Sequence, residues 1–120
     1  MKWDKTSYDA GRYMDREYYT FLGRCINEAS YHYRNKDVAS FYDTIMDLIG
    51  NMPDQVLPKT EEGKDAIMQK MEKAHAEMGK NRALSLYMLW SIRRQLISIL
   101  YENNMLFSTF KKRDDGGVYV

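Results

Sequence analysis

Residues 81–107, NRALSLYMLWSIRRQLISILYENNMLF, decide the fold, because they read as one long helix that is apolar around most of its circumference. Leu84, Leu86, Tyr87, Met88, Leu89, Trp90, Ile92, Leu96, Ile97, Ile99, Leu100, Tyr101, Met105, Leu106 and Phe107 leave only a narrow polar strip. That strip is Ser91, Gln95, Ser98 and Glu102, spaced as i, i+4 and i+7 on a helix. So wide an apolar sector predicts a helix enclosed by other helices. The expected fold is all-α: a four-helix, mainly antiparallel bundle with a central long C-terminal helix.

Working outward from that segment, three further helices emerge. The first is expected over residues 9–33, with an inward stripe of Met14, Tyr18, Phe21, Leu22, Cys25, Ile26, Ala29 and Tyr33 at spacings of three and four. Gly11 and Gly23 weaken it, and Gly23 suggests a bend or close packing. Asn35-Lys36-Asp37 forms the turn, with Asp37 the N-cap of the second helix over 38–49. That helix has the cleanest pattern: Val38, Phe41, Tyr42, Ile45, Leu48 and Ile49 on one side, Asp43, Thr44 and Asp47 on the other. Gly50-Asn51 closes it, and Pro53 and Pro58 bracket a loop. The third helix is expected from Thr60, its hydroxyl capping, with Glu61 and Glu62 near the positive end of the dipole. Its stripe of Ile67, Met71, Ala74 and Met78 is thin, which predicts loose attachment. Domain organisation follows: residues 1–110 make one bundle domain and 111–120 a tail, in which Val118, Tyr119 and Val120 are β-prone after a turn-rich Asp114-Asp115-Gly116-Gly117.

Charge is nearly balanced, 18 basic against 17 acidic residues, so no global field draws the chain to nucleic acid or to an acidic membrane. Locally it is uneven: residues 37–57 hold four Asp and no base. Cys25 is the single cysteine, which excludes an intramolecular disulfide and a zinc site built from several cysteines. No apolar run reaches the ~18 residues a membrane span requires, and the opening Met1-Lys2-Trp3-Asp4-Lys5 lacks the apolar region of a signal peptide. A cytoplasmic setting without membrane contact is the expectation. Ten Tyr and nine Met suit either adaptable protein surfaces or a Met-rich core with Tyr at its rim. A small helical chain of this composition is compatible with a viral or mobile-element origin.

Chemistry is harder to find. Glu72-Lys73-Ala74-His75 has the Glu-x-x-His spacing used by di-metal bundles, but no second copy accompanies it. Cys25 lies on the apolar stripe, where a thiol is an inert small hydrophobe, and His32, seven residues on, stands ~10 Å further along the axis. No phosphate loop is present. Neither catalytic residue, metal nor cofactor is expected, and the chain reads as a non-enzyme.

Two surfaces remain as candidates. Arg93 and Arg94 flank the most apolar segment, and Arg94, four residues after Trp90, is placed to stack on the indole. Together with Val118, Tyr119 and Val120 they form the candidate partner interface for a protein partner or a homo-oligomer. The motive is supply: the long helix asks for more apolar cover than the thin third helix offers. The alternative is a small subunit of a nucleic-acid-handling complex. Arg12, Arg16, Tyr19, Tyr31 and Arg34 follow the outward line of the first helix, where Tyr stacks bases and Arg meets phosphate. Arg12–Asp15 and Arg24–Glu28 pairs at helical spacing argue for a solvated, charge-paired face instead.

Overall fold

A computed structural model describes residues 15–105 of the chain, with side chains from residue 19 onward. Four helices occupy this span: α1 (Asp15–Arg34), α2 (Val38–Asn51), α3 (Lys64–Glu77) and α4 (Arg82–Glu102). They pack into a helical bundle, and among the described residues there is no strand. No helix among them is long and apolar enough to cross a membrane.

The first helix buries Phe21, Leu22, Cys25, Ile26 and Ala29, the three-and-four stripe of the sequence, and runs unbroken through a buried Gly23. It ends in a reversal built on Lys36, which adopts a left-handed φ of 57°. The Lys36 amide donates to the Tyr33 carbonyl and the Asp37 amide to the His32 carbonyl, both at 3.0 Å, so two end-of-helix acceptors are satisfied. Asp37 then opens α2, its Oδ1 accepting from the Ser40 amide at 3.2 Å. Hydrogen bonding from Ser40, its hydroxyl first and its amide second, holds the Asp37 carboxyl below its usual range. Phe41, Ile45, Leu48 and Ile49 carry the buried face of α2.

The third helix begins later than the Thr60 of the sequence reading. Thr60 caps a separate turn: its Oγ1 accepts from the Gly63 amide at 3.0 Å, and the Pro58 carbonyl takes the amides of Thr60 and Lys64. The helix starts only after Gly63, where a Cβ would collide with the Pro58 carbonyl oxygen. Loose attachment is also corrected. Ile67, Met71 and Ala74 are all enclosed, and the small pair Ala74 and Ser85 lets α3 approach α4 closely. There the Ser85 hydroxyl donates to the Ala74 carbonyl at 2.7 Å, fully buried, while Lys70 reaches Gln95 at 3.0 Å.

The last helix is shorter than residues 81–107. Asn81 caps it through Oδ1, accepting from the Leu84 amide at 3.1 Å. It stops at Glu102 because Asn104 turns left-handed, φ 58°, and the Met105 amide folds back to the Leu100 carbonyl at 2.9 Å. Met105 and Leu100 are both buried, which supplies the apolar contact of this type of helix end. The inward face of α4 is Leu86, Leu89, Ile92, Leu96 and Leu100, together with Ser85 and Arg93. They join the buried stripes of the other three helices in one core.

Candidate functional site

Where α1, α2 and α4 meet, an aromatic cluster packs against the core and holds a buried arginine. Tyr33 stacks on Trp90 with ring centroids 4.1 Å apart and planes 24° from parallel, and Phe41 meets Tyr33 edge-on at 5.6 Å. Arg93, one turn after Trp90, lays its guanidinium over the indole at 4.5 Å. Its Nε donates to the Ile26 carbonyl of α1 at 3.2 Å. Arg93 is wholly buried, and burial, with the nearby Arg34 charge, lowers its pKa to about 10. It therefore carries its charge at neutral pH inside the bundle.

Spacing pointed to Arg94 as the residue over Trp90; the structure lays Arg93, three residues on, over the indole and leaves Arg94 exposed. Adjacent residues on a helix point about 100° apart, so one arginine of the pair turns inward and the other outward. Of the two, Arg94 is the one presented at the surface.

On its outer side α4 departs from the expected enclosure. Tyr87 is 69% exposed and Leu84 40%, and Tyr31 on α1 is 58% exposed; these are the exposed large hydrophobic side chains among the described residues. Leu84 and Tyr87 count towards the apolar sector in sequence, yet they lie on the extension of the polar strip. Stepping back by sevens from Ser98 reaches Ser91 and then Leu84, two helical turns at a time. That was the available signal. On the same side of the helix stand Ser91 and Arg94, both exposed, and no acidic residue occurs between Glu77 and Glu102.

The line proposed for nucleic acid is only partly outward: Tyr19 is half-buried, while Tyr31 and Arg34 are exposed. The Arg34 Nη1 donates to Ser30 at 2.8 Å. Glu28 lies 3.5 Å from the His32 imidazole, the neighbour it takes in place of the expected Arg24. Arg12 and the side chain of Arg16 fall outside the described residues, as do Val118, Tyr119 and Val120.

Glu72 and His75 are both exposed on α3, and His75 rests against the Tyr42 ring at 5.1 Å. Among the described residues no three His, Cys, Asp or Glu side chains converge as a metal site would require. Cys25 is enclosed; burial first, then the fields of Glu28 and Asp47, pushes its thiol from 9.0 to about 12, so it has no thiolate character at neutral pH. Compared with known proteins, the chain matches no family model, no curated protein and no solved structure.

Proposed function

We propose that this chain is a non-enzymatic helical interaction protein of the cytoplasm, acting through protein–protein contacts. The observation that carries the reading is the pairing of Leu84 and Tyr87, one turn apart on the outside of a helix whose opposite face is fully enclosed. A Tyr and a Leu held rigidly by a packed helix offer contact area with little entropy left to lose on binding. Arg94 and the terminal Val118, Tyr119 and Val120 are proposed as further contributors. The test is light scattering and affinity capture with purified wild type and with Leu84→Ser/Tyr87→Ser. Wild type should form a complex, with itself or with a captured partner, that the double variant loses while its helical circular dichroism is retained. A monomeric wild type at micromolar concentration that captures nothing would refute it.

A second reading rests on Tyr31 and Arg34, which stand exposed together on the last turns of α1. Such a pair fits single-stranded nucleic acid, the Tyr stacking a base and the Arg meeting phosphate. Fluorescence anisotropy with a labelled oligonucleotide should then show binding that weakens steeply with salt, and Tyr31→Ala/Arg34→Ala should abolish it. No binding at low salt excludes this reading.

A further inference from the structure

Both tight turns of the bundle lie at one end of it. Tyr33, just before the α1–α2 turn, and Phe41, just after it, both meet Trp90, with ring centroids 4.1 Å and 6.2 Å away. Tyr42 of α2 meets His75, near the close of α3, at 5.1 Å. The Ser85 hydroxyl, in the first turn of α4, reaches the Ala74 carbonyl. The turn over residues 35–37 and the turn over residues 78–81 are therefore neighbours. Helix α2 runs about 20 Å away from this end, so the connection over residues 52–63 and the close of α4 lie at the other. Charge divides along the same axis. At the turn end Arg34, Lys36, Lys80 and Arg82 are all exposed, against Asp37, which Ser40 holds as the α2 cap, and a half-buried Glu77. Asp43 stands more than a turn further along α2. At the far end Asp54, Glu61, Glu62, Asp65 and Glu102 are exposed, against Lys59 and a half-buried Lys64.

Helix phase brings Arg82 into this end surface. It shares the face of Leu89, seven residues on, which is fully buried, yet Arg82 is exposed. The core has ended beneath it, and its side chain stands over the end of the bundle rather than out from its flank. Leu84, the nearest exposed apolar side chain of α4, points to the opposite side of that helix. Between the bases the surface is polar: Asn35, Gly79 and Asn81 are exposed. A protein partner needs an apolar anchor inside a polar rim, whereas a phosphate backbone is held by spaced cations on a polar surface. Tyr31, 58% exposed and one turn before Arg34, adds a ring on which an unpaired base stacks. We propose that the turn end of the bundle is a binding surface for single-stranded nucleic acid, with Arg34, Lys36, Lys80 and Arg82 meeting phosphates. The acidic far end repels the same strand and so decides which end is engaged.

This inference rests on the second reading above and extends it from the Tyr31 and Arg34 pair to both turns. Fluorescence anisotropy of a labelled single-stranded oligonucleotide with the full chain, between about 0.05 M and 0.2 M salt, tests it. Phosphate contacts from Arg34, Lys36, Lys80 and Arg82 predict that log affinity falls with log salt at a slope of about −3, a loss of roughly fiftyfold over that range. Lys80→Gln/Arg82→Gln should weaken binding and flatten the slope to about −1.5, since half of the phosphate contacts are gone. Tyr31→Ala should weaken binding about tenfold and leave the slope unchanged, because stacking releases no counterions. Lys59→Gln/Lys64→Gln, at the far end, should change neither. Circular dichroism verifies that each variant keeps its helices. A slope that Lys80→Gln/Arg82→Gln leaves unchanged overturns the inference, while the Tyr31 and Arg34 reading stands if Tyr31→Ala/Arg34→Ala still abolishes binding. Equal flattening by the far-end variant also overturns it, as does displacement of the oligonucleotide by polyglutamate at equal charge, which would assign the surface to acidic protein. No binding at low salt removes both.

Discussion

At the scale of single residues, the buried Arg93 and Cys25 set the sharpest expectations. Arg93 combines a guanidinium held 4.5 Å over the Trp90 ring with a hydrogen bond from its Nε to the Ile26 carbonyl, and no lysine reproduces both, because an ammonium is neither planar nor forked. Arg93→Lys should cost about 1–3 kcal/mol in urea unfolding, and Arg93→Ala about 2–5 kcal/mol because it also leaves a cavity. Equal stability of wild type and Lys variant would show that the guanidinium geometry is immaterial. For Cys25 the folded pKa is raised to about 12 from 9.0, so between these values the unfolded chain releases a proton that the folded chain keeps. Stability should therefore be unaffected by this group below pH 9.0 and fall as pH rises beyond it. Alkylation of Cys25 at pH 8 should track global unfolding, measured by quenched labelling against denaturant; rapid labelling in the absence of denaturant contradicts its burial. Neither residue's role was fully legible in sequence. The stripe placed Cys25 correctly, but spacing could not separate two neighbouring arginines at the border of an apolar sector, where a rotation of the helix by a few tens of degrees decides which one enters.

At the scale of elements, the helices were legible where cap and stripe agree. Asp37 followed by Val38, Phe41 and Ile45 gives both signals, and α2 begins where they say. The ends of α3 and α4 were obscured by signals of the right kind in the wrong place. Thr60 does cap, but it caps an isolated turn, since the Pro58 carbonyl and Gly63 postpone the helix by one turn. Met105 continues the apolar pattern beyond Asn103-Asn104, yet the backbone turn at Asn104 ends the helix before it. Two substitutions follow. Lys36→Gly should raise stability by about 0.5–1 kcal/mol, because a lysine at φ 57° bears the steric penalty of the left-handed region that glycine escapes. Gly63→Ala should lower it by about 1–3 kcal/mol through the clash with Pro58. Thermal melts of the two variants check both signs, and a neutral Gly63→Ala would mean that the loop yields without strain.

At the scale of the whole molecule, a thin third helix suggested an unsatisfied core, and the structure answers differently. Ile67, Met71 and Ala74 suffice because Ala74 and Ser85 let two helices meet closely, so α4 is covered on its inner face by its own siblings. What stays uncovered on α4 is outside: Leu84 and Tyr87. The fold class was readable because periodicity reports burial; the exposure of Leu84 and Tyr87 was readable only from the phase of the polar strip, since their apolar character alone assigns them to the core. Removing Leu84 and Tyr87 together should therefore alter assembly while leaving the unfolding free energy within about 0.5 kcal/mol. The most direct measurement is the native mass of the purified chain with whatever accompanies it. The account predicts species heavier than a single 14.2 kDa chain that collapse to that mass in Leu84→Ser/Tyr87→Ser, and a wild type found only at 14.2 kDa with nothing bound would contradict it.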